Sequence, residues 1–138
     1  LYSSAASDVY KRQELASRPL VWVGAEEGQI WQKRPLRIGF KDTCIFRRKA
    51  VAALERAGVA WEMAVDGESE QAIEATVAAD LAVTARLTNA MPPGLYAIDT
   101  KGLLPDLGEQ TICLYAAPTL QGEAAALLRQ ELRNAYCC

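Results

Sequence analysis

One cysteine with basic neighbours is the feature of this sequence whose residue types could do chemistry. In the stretch KDTCIFRRK, Cys44 lies where a helix is predicted to begin, and Lys41, Arg47, Arg48 and Lys49 surround it. Positive surroundings and a helix N-terminus favour the thiolate form of a cysteine, which is the nucleophile. The same helix start could instead hold an anion, because its first backbone N–H groups have no acceptor within the helix. A third interpretation is the first turn of an ordinary core helix.

Catalysis by Cys44 is disfavoured by the residues that are missing. Nucleophilic cysteines commonly use a histidine base, and the chain has no histidine. A phosphatase-like loop needs an arginine six positions after the cysteine, where this chain has Ala50. The four cysteines form no C-x-x-C pair, which excludes a zinc site of the usual spacing, and Cys113 has no visible relation to Cys44 as a redox partner. We predict no enzyme activity, no catalytic residue, no metal and no cofactor.

Anion binding at the start of this helix remains open. Arg47, Arg48 and Lys49 lie about 100° apart on a helix, so they cannot all face one ligand. The backbone N–H groups from Thr43 to Phe46 would suit a carboxylate better. By helical periodicity Phe46 belongs to the core-facing stripe of the helix.

Composition and charge restrict the class of protein. With 138 residues, 51% of them hydrophobic and 23% charged, the chain fits one compact domain or one lobe of a larger one. A net charge of −2 gives no reason to expect direct contact with nucleic acid. Apolar runs stay well short of the roughly 18 residues that cross a bilayer, so we expect no membrane contact. Residues 1–17 have no secretory pattern and are predicted to be a foreign or unstructured segment, with reduced thiols in a cytoplasmic protein.

Strand-like and helix-like patterns alternate through the rest of the chain. This alternation predicts parallel strands joined by right-handed crossovers, an α/β lobe of Rossmann-like character. Gly58 is placed to end the first helix and Ser69 to cap the second. Strands are predicted at 20–25, 36–40, 61–65, 81–85, 95–99 and 111–117, and helices at 45–57, 69–79 and 122–135.

Binding residues are expected where the parallel strands end. Loops at the carboxyl ends of such strands meet at one edge of the sheet, so the segments 41–46, 66–70 and 86–94 should form one rim. Ser69 offers a second helix start there, although capping alone explains it. Arg86 follows the third predicted strand and could pair with a carboxylate. The predicted binding residues are Thr43, Cys44, Phe46, Ser69 and Arg86.

The order of the motifs resembles one family. PLVWVGAEEGQIWQKRPLRIGF, then DTCIFRRKAVAALERAGVAWEMAVDGESEQAIEATVAADLAV, then MPPGLYAID, GLLPDLGE and TICLYAA resemble the second half of the effector-binding domain of LysR-type transcriptional regulators. The resemblance covers about Arg18 to Tyr136, and within it Phe46 matches a position that can line the effector pocket in that family. Asp80 stands where that family usually has a glycine and Ala82 replaces a second one, so the turn after the second helix is expected to differ.

The resemblance implies a two-lobed fold like that of type 2 periplasmic binding proteins, with the first lobe incomplete in this chain. Residues 18–110 would form the second regulatory lobe, and 111–138 a return strand and helix of the first lobe. A small, anionic effector would bind between the lobes, and DNA would be bound only by a winged helix-turn-helix domain absent from the chain. Homo-oligomers are expected. A free-standing solute-binding module and a small α/β enzyme are the alternatives.

Overall fold

A two-stranded parallel sheet is formed by β2 (Leu36–Gly39) and β3 (Trp61–Val65). In the computed structural model, which describes residues 11–136, these strands pair in parallel. Ile38 also forms a parallel bridge with Val83, whose N–H donates to the carbonyl of Arg37 at 2.9 Å. Strand β2 therefore lies between β3 and residue 83, as predicted for strands joined by crossovers.

Helix α1 (Ile45–Arg56) connects β2 to β3 and covers the sheet with its apolar face. Ala50, Ala53 and Leu54 are buried on that face. The helix ends as predicted, because Gly58 has φ of +69° and the N–H of Val59 donates to the Leu54 carbonyl at 2.9 Å. This left-handed closure satisfies the last carbonyls of the helix.

Helix α2 (Glu70–Ala78) connects β3 to the third strand. Ser69 is its N-cap and accepts a hydrogen bond from the Ala72 N–H at 3.2 Å, as predicted. Ile73 and Val77 are the buried residues of this helix. The turn that follows is made by Asp80, which has φ of +58° and takes the left-handed conformation without a glycine.

The remaining strands of this region are antiparallel, which the sequence did not predict. Strand β1 (Lys11–Gly24) pairs antiparallel with β4 (Thr84–Leu87) and with β5 (Tyr96–Ala97). The strand expected at 81–85 is thus a single parallel bridge at residue 83, continued by an antiparallel strand. The reason is that the same extended segment borders β2 first and then β1, which runs in the opposite direction.

The chain forms two compact units. One is Pro19–Glu109, and the other combines the residues up to Arg18 with those from Gln110 onward. The second unit contains most of β6 (Glu109–Ala116), which pairs with β1, and helix α3 (Glu123–Tyr136). Residues 11–17, predicted to be foreign or unstructured, belong to β1. The rest of that predicted segment, residues 1–10, and positions 137–138 lie outside the described residues.

Two groups of buried residues form the core. The larger one packs α1 against β2 and the C-terminal part of β1. It includes Phe40 and Trp22, whose indole N–H donates to the Pro105 carbonyl at 2.9 Å. The smaller one lies under α2 and includes Val23, Ile73 and Val77. The protein is a mixed α/β fold in which the parallel strands carry the candidate site at their carboxyl ends.

Candidate functional site

The loops after β2 and β3 are joined by hydrogen bonds in both directions. The Asp42 N–H donates to the Gly67 carbonyl and the Gly67 N–H donates to Asp42 Oδ1, both at 3.1 Å. Asp42 Oδ1 also pairs with Arg47 Nη1 at 3.3 Å, which ties the loop to the first turn of α1. Two of the three predicted rim segments, 41–46 and 66–70, are therefore in contact.

A glycine allows this close approach. A Cβ on Gly39 would lie 2.8 Å from Val65 Cγ1, closer than side-chain atoms pack. The β2–β3 register shifts at this point, between Ile38 and Gly39. A side chain at residue 39 would therefore force the Val65 side chain or the paired strand ends to shift.

Arg86 occupies the third segment, but it lies within β4 rather than in the loop after it. Its Nη1 donates to Thr84 Oγ1 at 3.1 Å and to the Ala85 carbonyl at 3.0 Å. Its Nη2 forms an ion pair with Glu70 Oε1, at the first residue of α2. The side chain of Arg86 is only 13% exposed, and that of Glu70 is 45% exposed. The ion pair links the third segment to the second.

The other predicted residues fall around the start of α1. Thr43 is exposed in the turn, and Cys44 is the N-cap residue, half-buried against the larger core and without a side-chain capping bond. Phe46 is half-buried against the same core. The Cys44 N–H donates to the Lys41 carbonyl at 3.0 Å, so the expected row of unoccupied donors from 43 to 46 is interrupted.

Two residues of this rim were missed at the level of sequence. Asp42 is the single acid in KDTCIFRR, which was a signal that it pairs with a nearby base or backbone group. Glu70 lies in the first turn of α2, where an acid suits the helix dipole, so its presence needs no distant partner to explain it. Its partner Arg86 is sixteen residues further on, and no local pattern connects the two.

The described residues contain no group of three or more histidine, cysteine or acidic side chains that could hold a metal ion. Cys44 and Cys113 are both free thiols. In the unit that contains β6, side-chain hydrogen bonds to Cys113 and then Tyr115 raise the pKa of Arg12.

A wide groove of about 530 Å³ runs along β1 beside Trp22 and Leu104, away from the rim residues. None of the helices described is both long and apolar enough to cross a bilayer.

Solved structures provide the comparison. Full-length HypT from Salmonella typhimurium, a hypochlorite-specific LysR-type transcriptional regulator, aligns with 98% of this chain at 13% identity and a TM-score of 0.68. HinK, a LysR family transcriptional regulator from Pseudomonas aeruginosa, aligns with 99% at 14% identity and a TM-score of 0.68. The CcmR regulatory domain of Synechocystis PCC6803, solved in complex with 2-PG, aligns with 93% at 13% identity and a TM-score of 0.63. No protein-family model matches the chain.

This is the fold of a LysR-type regulatory domain. At such low identity the likeness establishes the fold and leaves the ligand to the residues of the site. The chain spans 50% of full-length HypT and 51% of HinK, about half of each, and it spans 67% of the CcmR regulatory domain. The neighbours are transcriptional regulators or their regulatory domains, and their fold is the one that the resemblance implied.

Proposed function

We propose that this chain is part of the effector-sensing domain of a LysR-type transcriptional regulator and that its rim binds a small anion. One observation carries the proposal: α1 and α2 both begin at the carboxyl edge of the parallel strands. There the Asp42–Gly67 contact joins the loops that precede them, and the Glu70–Arg86 ion pair ties the start of α2 to β4. The positive ends of two helix dipoles and one guanidinium therefore lie at one edge.

The proposed binding residues are those at this edge: Thr43, Cys44, Phe46, Ser69 and Arg86. The Thr43 hydroxyl and the N–H groups of the first turn of α1 would donate to the anion. Arg86 would supply the charge, and Phe46 an apolar wall. Cys44 would contribute its half-buried side chain as a contact rather than chemistry, because its N–H already donates to the Lys41 carbonyl and the chain has no histidine base.

The division of the chain supports a role for each unit. We propose that Pro19–Glu109 corresponds to the second regulatory lobe, and the other unit to a strand and helix of the first. Helix α3 exposes Leu127 at 63% and Leu128 at 57%, which fits a face covered by further protein. In the whole regulator, closure of the lobes on the effector would alter the spacing of winged helix-turn-helix domains in a cytoplasmic homo-oligomer.

Two anions bound by relatives serve as probes. The CcmR regulatory domain was solved with 2-PG, and the HypT regulatory domain with bromide. Adding each to the isotopically labelled chain should shift the backbone amide signals of Thr43, Phe46 and Ser69 in a saturable way. Arg86→Gln should weaken that binding about tenfold or more, since charge-assisted hydrogen bonds to a guanidinium are the strong ones. Arg37→Gln is the matched control, because Arg37 lies on β2 and pairs with Glu62 away from the rim.

The result against the proposal is equally specific. Shifts confined to other parts of the chain, or equal weakening by Arg86→Gln and Arg37→Gln, would show that the rim is not the anion site. The DNA-binding part of the proposal is tested separately by sequencing the reading frame upstream of Arg18. It should encode a winged helix-turn-helix and the rest of a first lobe.

A further inference from the structure

The guanidinium proposed to bind the effector already has a carboxylate partner. Glu70, the first residue of α2, forms an ion pair with Arg86 Nη2. An anion from solution must bind the same N–H donors of the Arg86 guanidinium. The interaction between Glu70 and Arg86 therefore competes with the interaction that the proposed function needs.

The two partners differ in how firmly they are held. Arg86 is fixed by hydrogen bonds to Thr84, which is fully buried, and to the Ala85 carbonyl within β4. Glu70 is a long, partly exposed side chain, and the ion pair with Arg86 is the contact that holds it. An incoming anion would displace Glu70 and leave Arg86 in place.

Release of Glu70 costs little. Its carboxylate would remain in the first turn of α2, where the helix dipole favours negative charge, and it would regain rotamer freedom. An ion pair with one partner this exposed contributes about 1 kcal/mol or less. Competition from it therefore lowers the affinity of Arg86 for an anion by about fivefold at most. The Glu70–Arg86 ion pair is weak enough for an anion to replace it, and strong enough to lower the affinity of the rim for that anion measurably.

We propose, on the basis of the function proposed above, that Glu70 is a built-in competitor that selects dianionic effectors over monocarboxylates. A tethered carboxylate acts at a high effective concentration. A free monocarboxylate would form the same kind of ion pair with Arg86 and would therefore not displace Glu70. A phosphate group or a second carboxylate adds charge and hydrogen-bond acceptors, which would be available to the N–H groups of the rim as well as to Arg86. Glu70 thus determines both the anion concentration at which the site fills and the class of anion that the site binds.

The test compares Glu70→Gln with the unaltered chain, using inorganic phosphate and acetate as probes and the rim amide signals as the readout. Removing the competitor should strengthen phosphate binding about two- to fivefold. It should also allow acetate to give saturable shifts, which the unaltered chain should not show at the same concentration. A merely structural role for Glu70 predicts the opposite, a loss of affinity. Glu74→Gln removes the same charge one turn further along α2 and should leave both affinities within about twofold.

The outcomes separate the two proposals. Equal or weaker phosphate binding in Glu70→Gln, with clear binding by the unaltered chain, overturns the role of Glu70 and leaves the anion site standing. Equal gains in Glu70→Gln and Glu74→Gln would assign the effect to net charge and also overturn that role. Absence of saturable rim shifts in every protein overturns the anion site, and the role of Glu70 falls with it.

Discussion

Replacing Asp80 should reveal how the turn after α2 is stabilised. Asp80 has φ of +58°, and its carboxylate accepts hydrogen bonds from the N–H groups of Gln29 at 2.9 Å and Ile30 at 3.2 Å. It thereby ties α2 to the short 3-10 helix Ile30–Gln32. A Cβ on Gly28 would lie 2.5 Å from Asp80 Oδ1, so the carboxylate fits against a backbone that has no side chain.

The magnitudes follow from these contacts. Each hydrogen bond contributes about 0.5–1.5 kcal/mol, so their loss should cost about 1–3 kcal/mol. Asp80→Gly loses both bonds but accepts the left-handed backbone freely. Asp80→Ala loses both bonds and must also hold alanine at positive φ, which costs about 1 kcal/mol more. Asp80→Asn keeps one acceptor and tolerates this conformation, so it should cost about 1 kcal/mol.

Urea unfolding followed by tryptophan fluorescence is the appropriate assay. Trp22, Trp31 and Trp61 all lie in the unit Pro19–Glu109, so the signal reports on the unit that contains Asp80. The expected order of stability is unaltered chain, then Asn, Gly and Ala. Finding the alanine variant as stable as the glycine variant would refute the argument from backbone strain. Finding all three equal to the unaltered chain would refute the hydrogen-bond argument.

Three further predictions concern the elements that position the rim. Ser69→Ala should destabilise the unit Pro19–Glu109 by about 1 kcal/mol in the same unfolding assay, since it removes the α2 N-cap, and Ser69→Thr should restore most of it. Leu54→Ala should lower the free energy of unfolding by about 2–5 kcal/mol, because Leu54 is fully buried on the core-facing side of α1. A decrease below 1 kcal/mol would contradict that packing. Asp42→Ala should speed hydrogen exchange of the Gly67 amide about fivefold by removing its acceptor, and unchanged exchange would refute the contact.

The two crossover helices were predictable because several local signals agree there. In α1 the buried Ala50, Ala53 and Leu54 recur at helical spacing, and Gly58 supplies the left-handed residue that ends it. In α2 the cap at Ser69 marks the start within one residue. The contact between segments 41–46 and 66–70 also followed from topology, since loops after neighbouring parallel strands must lie together.

Strand direction and long-range pairing were not predictable in the same way. LVWV and LAVTA are both short apolar runs, and such a run does not encode whether its neighbour is parallel or antiparallel. The position of Arg86 in an antiparallel strand depends on β1, more than sixty residues earlier in the chain. Its ion pair with Glu70 likewise depends on where two elements meet in space, and Glu70 already had a local explanation as a first-turn acid.

The position of β1 in the pairing scheme has a consequence for synthesis on the ribosome. The strands that pair with its apolar LVWV segment, β4 and β5, begin at Thr84 and Tyr96, so this segment is made long before either of them exists. The parallel pair β2–β3 can form first. Until its own partners are made, β1 has unpaired backbone N–H and C=O groups along its edges, and these could pair with another nascent chain. Pro19 and Arg18 stand directly before this segment, where proline and charge oppose such pairing. Newly made copies are therefore most exposed to aggregation until residue 97 has emerged.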